Sequence, residues 1–238
     1  FASTFAVFGA GRAYEQIRNS ICYPNLNVKV AVTHSGLTVG EDGATHQMLE
    51  DITLMRALPN MTVVVPADAA ETKSVIHWAA QHKGPVYIRM GRAKCDDITP
   101  EGYTFTPGKS YQVVDGHDLT IIACGIMVAK AKEASDMLAK EGISARVINM
   151  SSIKPIDEEA IMKAAKETGH ILTCEEHTVK GGLGGAVAEV LCLHQPVPMA
   201  MIGTEDTFGE SGKAEELLEK YGLTAQNIVA EAKKLLNR

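Results

Sequence analysis

Short, unbroken apolar runs alternate along the chain with longer segments whose apolar residues recur every three or four positions. The runs are FASTFAV (1–7), VKVAVT (28–33), MTVVVP (61–66), PVYIRM (85–90), DLTIIAC (118–124), ARVINM (145–150), HILTCE (170–175) and PMAMIG (198–203). Strands buried on both faces read this way, because a parallel sheet covered by helices has no solvent face to fill with alternating polar residues. Helical spacing between the runs predicts helices over 9–22, 47–57, 68–82, 126–141, 157–167, 184–194, 213–221 and 224–236. The alternation predicts an α/β protein made of two doubly wound domains, each a mostly parallel sheet flanked by helices.

Boundary residues sharpen the pattern. Asp68 precedes a helical segment with Glu71 three residues on, the signature of an N-cap with a capping-box acid. Gly142 follows the segment DMLAKE as a C-cap glycine, and Pro155 with Asp157 opens the next helix. The least regular stretch is 91–110, GRAKCDDITPEGYTFTPGKS, poor in aliphatic residues and rich in glycine and proline. It divides the chain into a first domain over 1–93, a linker over 94–109 and a second domain over 110–238.

Composition narrows the class. With 45% hydrophobic and 22% charged residues in 238, the chain has the balance of a soluble globular protein, and no apolar run is long enough to span a bilayer. The net charge of −6 divides as +1 over 1–93 and −7 over 94–238. Neither part carries the basic stripe that nucleic acid needs or a polybasic membrane patch, so neither partner is expected. The five cysteines are odd in number and widely spaced, without a Cys-x-x-Cys pair. They are expected to be buried thiols in a cytoplasmic protein. The chain opens on Phe1 in mid-pattern, which leads us to expect that a preceding segment is missing.

Candidate chemistry collects where strands end, since ligands of open α/β sheets gather at the carboxyl edge. The connector VTHSGLTVGEDGATHQ (32–47) leaves such an end and holds His34, Asp42 and His46 among three glycines. Thr45 could cap the following helix and favour an anion there. Arg92, just past the strand over 85–90, offers a bidentate fork for phosphate, whereas Arg89 reads as an ion-pair residue within the strand. An ordinary turn remains open for the connector, and a metal site from His34, Asp42 and His46 has no recognised spacing. Phe5 and Phe8 read either as core rings or as a wall for a heteroaromatic ligand. The glycine-rich stretch EEHTVKGGLGGAVAEVL (175–191) lacks a dinucleotide fingerprint and reads as a tight turn that lets a helix pack closely on the sheet; His177 within it is ambiguous.

Taken in order, FASTFAVF, THSGLTVGEDGATHQ, LPNMTVVVPAD and YIRMGR resemble the pyrimidine-binding domain of transketolase. The remainder, from DLTIIACG through EEHTVKGGLGGAVAEV to FGESG, resembles the C-terminal domain of the same family. The likeness covers nearly the whole chain; GEDGATHQ is its most specific part. The resemblance implies transfer of a two-carbon ketol unit between sugar phosphates, as in the pentose phosphate pathway, with thiamine diphosphate and a divalent cation, Mg²⁺ or Ca²⁺. It implies that Phe5 and Phe8 face the aminopyrimidine, that His34, Asp42 and His46 meet the donor sugar, and that Arg92 takes its phosphate. Three departures stand out. A third aromatic would fall at Gly11, leaving Tyr14 to complete the wall. The family's activating glutamate would precede Phe1. The diphosphate- and metal-binding domain is absent, and GEDG is not its motif. The resemblance therefore implies a C-terminal subunit, dimerising through this chain, inactive alone and completed by a diphosphate-binding N-terminal partner. Deoxyxylulose phosphate synthase is a rival, but tends to carry Arg at the place of His34 and has a loop one residue shorter. Two further rivals share the fold, a beta-type subunit of a 2-oxoacid dehydrogenase and a non-catalytic regulatory or binding subunit.

Overall fold

The computed structural model describes residues 1–237. Nine strands form two sheets: β1 (Lys29–Val32), β2 (Thr62–Val64), β3 (Val86–Arg89), β4 (Tyr111–Val114), β5 (Leu119–Ala123), β6 (Ala145–Asn149), β7 (Ser152–Lys154), β8 (Ile171–Thr178) and β9 (Met199–Thr204). The first sheet runs β1-β3-β2-β7 and the second β4-β6-β5-β8-β9. Pairing is parallel except for β7 on β2 and β4 on β6. The α/β expectation of two mostly parallel sheets flanked by helices is met. The helices are α1 (Tyr14–Ile17), α2 (Asp51–Arg56), α3 (Ala69–Gln81), α4 (Met127–Lys140), α5 (Glu158–Thr168), α6 (Leu183–His194), α7 (Ala214–Lys220) and α8 (Ala225–Leu236), with turns of π type on either side of α1.

Every interior apolar run became a strand, and the first run did not. Its residues lie alongside β1 through single bridges, Ala2 to Val30 and Phe5 to Thr33, and then turn into helix at Ala6. Glycine makes that turn fit, because a Cβ at Gly9 would stand 2.8 Å from the Val32 side chain. β4 and β7 went unpredicted because short edge strands of mixed polarity carry no continuous apolar signal.

Local signals chose most helix ends. Asp68 caps α3 by accepting the Glu71 N–H at 2.8 Å. Glu71 reaches back as expected, but to the Ala67 N–H at 2.7 Å rather than to that of Asp68 itself. At the end of α4, Ile143 donates to the Leu138 carbonyl and Gly142, at φ +81°, to that of Ala139, which closes a Schellman motif. The helix expected over 47–57 contracts to α2, and Thr45 does not cap it; its hydroxyl pairs with His46 Nδ1. The preceding residues are taken up by tight 3-10 turns over Leu37–Asp42.

The sheets share their cores. Val30, Val32 and Met55 pack in one cluster with Ile122, Ile148, Leu183 and Val187, while Leu37, Leu49 and Ala67 belong to the core built on β5, β6 and β8. Segment 94–109 also packs back, setting Phe105 edge-on to Trp78 at 5.0 Å. Cys22, Cys124 and Cys174 are buried, but Cys95 is half-buried and Cys192, on the outer face of α6, is exposed. No described helix is long and apolar enough to cross a membrane.

Candidate functional site

The carboxyl edge of the first sheet gathers the residues singled out above. His34 follows β1 in the left-handed region, at φ +58°, which swings its ring off the sheet and onto Phe5. The two rings stack with centroids 3.8 Å apart and planes 8° apart. Phe5 and Phe8, brought to one side by the π-type turns, lie nearly parallel at 5.8 Å. His46 stands edge-on to both, at 6.4 Å from Phe5 and 5.6 Å from Phe8. The Arg12 guanidinium lies 4.6 Å over the Phe8 ring, a cation–π contact that nothing in the sequence had singled out.

Arg92 leaves β3 and folds back over the connector, donating from Nη1 to the Val39 carbonyl at 2.5 Å and pairing with Glu41 at 3.4 Å. Its side chain stays 46% exposed, so much of the guanidinium fork faces solvent. Partial burial, then the Arg92 charge, push the His34 pKa below its ordinary value, while Asp42 pulls it upward. His34 Nδ1 pairs with Thr33 Oγ1 at 2.9 Å, and Nε2 has no hydrogen-bond partner among the described residues. At neutral pH the ring is therefore uncharged and offers one nitrogen to the open rim.

The connector's path is set from far along the chain. Gln47 Nε2 donates to the carbonyls of Leu37 at 3.1 Å and Glu210 at 2.9 Å. Ser211 fills the place a side chain at Gly43 would need, and the Gln47 amide does the same at Gly209. Arg89 is an ion-pair residue as expected, its Nε donating to Asp51 at 2.8 Å, with Tyr87 Oη donating to the same carboxyl oxygen at 2.7 Å. The second glycine-rich stretch holds a carboxyl group of the chain's own: Glu175 accepts the N–H groups of Leu183 at 2.7 Å and Gly184 at 2.8 Å. A Cβ at Gly182 would collide with that group. His177 is buried beside it, with Nδ1 2.8 Å from the Thr178 carbonyl and Nε2 accepting the Ile52 N–H at 3.1 Å.

Residues 1–96 match the family model for the transketolase pyrimidine binding domain, and residues 108–228 match that for the transketolase C-terminal domain. The chain belongs to the transketolase family. It is 52% identical over 231 residues to a Methanocaldococcus jannaschii protein provisionally named as a transketolase C-terminal section, covering 96% of this chain and 72% of that one. It is 42% identical to a 6-deoxy-6-sulfo-D-fructose transketolase subunit of Clostridium sp. strain MSTE9, over all of this chain and 74% of that one. A solved split-gene transketolase, described as an inactive beta4 tetramer, superposes with a TM-score of 0.94 at 55% identity, over all of this chain and 76% of that one.

The family implies thiamine diphosphate, and this chain fits part of it. Phe5 and Phe8 offer a half-buried aromatic surface suited to a flat heteroaromatic ring. Gly11 leaves open the place where a third ring would stand: the nearest atoms to a Cβ there are those of Met48 and Val7, at 4.0 Å. Tyr14, expected to compensate, packs against the first core instead. Among the described residues no group of three His, Cys, Asp or Glu side chains could hold a metal ion.

Proposed function

We propose that this chain is the C-terminal part of a thiamine diphosphate-dependent transketolase. On this reading it moves a two-carbon ketol unit from a ketose carrying a terminal anion to an aldose phosphate. A second chain holds the diphosphate and its cation. The observation that carries the reading is the stack of Phe5, Phe8 and His34 with His46 edge-on to it, together with Arg92 folded over the connector that holds Asp42.

Each residue has a task suited to its surroundings. Thiamine diphosphate, when bound, supplies an electron sink for breaking the bond beside the donor carbonyl. Phe5 and Phe8 give its pyrimidine ring a flat apolar wall. Neutral His34 presents Nε2 as acceptor, or in the other tautomer as donor, to the hydroxyl whose proton moves as the sugar is cleaved. Asp42, exposed at the loop tip, accepts from donor hydroxyls, and His46 borders the same space. Arg92 takes the far anionic end of the sugar. The fork suits a sulfonate as well as a phosphate, consistent with the sulfo-sugar subunit among the relatives. The description of a relative's chains as an inactive beta4 tetramer supports the need for a partner.

The test is reconstitution. The chain, a diphosphate-binding transketolase subunit, thiamine diphosphate and Mg²⁺ are combined, and ketol transfer to ribose 5-phosphate is followed with xylulose 5-phosphate or 6-deoxy-6-sulfo-fructose as donor. Turnover that requires both chains is expected. Silence with every donor at saturating cofactor would defeat the reading.

A further inference from the structure

We infer that Glu176, at the end of β8 in the second sheet, is a positioning residue for the loop that carries His34 and Asp42. Its side chain makes no hydrogen bond to the substrate-facing side chains; it acts on the backbone between them. Its Oε1 accepts the Thr38 N–H at 2.7 Å, and its carboxyl group occupies the space that a side chain at Gly36 would fill. Gly36 is at φ +79°, and its own N–H is spent on the Met48 carbonyl at 2.9 Å. A side chain at that position would meet both steric and conformational objections. Glu176 thus sets the segment two residues after His34 and four before Asp42.

The backbone that carries this carboxyl group is itself tied in place. Arg89 Nη2 donates to the Glu176 carbonyl at 3.0 Å and to the Met48 carbonyl at 3.2 Å, while its Nε is bound to Asp51. One guanidinium therefore ties the strand bearing the buttress to the far end of the loop. Gln47 and Ser211 secure the remaining turn.

Filling space does not explain the acid. Glu176 is 4% exposed, and burial pushes its carboxyl up to about 7 against the pull of Arg89 and the Thr38 N–H. A buried carboxyl is a costly filler, and an apolar residue of similar size packs such a space at less free energy. What the acid adds is one fixed acceptor under the loop. Loss of that acceptor lets the His34 and Asp42 segment relax, and a shift near 1 Å in a positioned group lowers rate about 10²-fold.

The test compares Glu176→Gln, which keeps an acceptor at the same reach, with Glu176→Asp, which keeps the acid but withdraws it by about 1.5 Å, one C–C bond. Both are assayed in the reconstituted enzyme; this arm rests on the transketolase reading above. For Glu176→Asp we expect kcat/KM for the donor ketose phosphate to fall about 10- to 100-fold and thiamine diphosphate affinity to stay within about twofold. Glu176→Gln is expected to stay within about threefold of the unaltered enzyme. The second arm is hydrogen–deuterium exchange over residues 35–43, which needs no activity. Exchange there is expected to quicken about tenfold or more in Glu176→Asp and to be unchanged in Glu176→Gln. A Glu176→Asp enzyme as active as the original, a Glu176→Gln enzyme as impaired as Glu176→Asp, or unaltered loop exchange in Glu176→Asp each overturns the proposal. Equal loss of cofactor affinity overturns it too, as it would mark general collapse. If Glu176→Asp does not fold, Glu176→Met, which keeps the length but offers no acceptor to the Thr38 N–H, takes its place in the exchange arm: quickened exchange over 35–43 is expected, and unaltered exchange overturns the proposal. If the unaltered enzyme shows no transfer, the transketolase reading fails, and the exchange contrast still decides the role of Glu176.

Discussion

His34 sits between an aromatic face and a guanidinium, and both act on its chemistry. Burial and the positive charge of Arg92 hold the ring neutral, and the Phe5 stack fixes its plane, so little reorganisation is needed when a proton moves. We predict that His34→Ala lowers ketol transfer by roughly 10²–10⁴-fold, the scale for a positioned acid–base group; an unchanged turnover number would remove His34 from the reaction. Arg92→Ala should raise KM for phosphorylated donors well above its effect on unphosphorylated ones, leaving kcat largely intact, because it removes binding that ground and transition states share. Parallel loss with both donors would take the phosphate away from Arg92. These side chains were legible because each stands in an unusual local sequence at the end of an apolar run. Arg12 was not singled out, although it stands four residues from Phe8, a spacing that brings two side chains together on a helical turn.

At the scale of elements, legibility follows how local the deciding contact is. Asp68 accepts from Glu71 three residues away, and the cap could be read directly. The same carboxylate also accepts the N–H groups of Ile98 and Thr99, both at 2.7 Å, and the Thr99 hydroxyl at 2.8 Å, thereby anchoring segment 94–109. That second task was invisible from the sequence. Burial raises the Asp68 pKa, but these hydrogen bonds outweigh it and hold the group below the ordinary carboxylate range. Its contribution to stability is therefore present above pH ~4 and lost as the pH falls through the lower folded value. We expect Asp68→Ala to cost about 2–3 kcal/mol at pH 7, the loss of a cap plus two stranded amides, as read by urea unfolding. A cost under about 0.5 kcal/mol, ordinary for a surface change, would show that segment 94–109 is held elsewhere. The connector is the opposite case. Its glycines announced a tight path, but that path is dictated by Glu176, Gln47 and Ser211, two of which lie far along the chain.

The whole molecule is joined by a seam of buried ionisable groups that no single stretch reveals. Asp51, Tyr87 and Arg89 come from one sheet and its helix, Glu175, Glu176 and His177 from the end of β8, and none is more than 4% exposed. The strand–helix rhythm identified both sheets; it could not show that they interlock, because β7 adds to the first sheet from the second part of the chain, and shared cores leave no local trace. The seam makes stability depend on pH in a way that can be signed. Burial pushes the His177 pKa down to about 4 despite nearby Asp51, because the folded chain uses the neutral ring, with Nε2 accepting the Ile52 N–H. The unfolded chain takes up a proton near pH 6.5 that the folded chain refuses until about 4. The contribution of His177 is thus complete above pH ~6.5 and erodes as the pH falls, by about 2 kcal/mol at pH 5. Glu175, which burial pushes up to about 7, contributes in the opposite sense over a similar range, but it is present with or without the imidazole. We therefore compare the original protein with His177→Gln, whose amide oxygen can accept from Ile52, by urea unfolding at pH 7.5 and 5. The original should lose about 2 kcal/mol more than the variant between the two pH values. Equal losses would mean that the folded and unfolded chains take up this proton at the same pH, so that the buried ring is not held neutral by the fold.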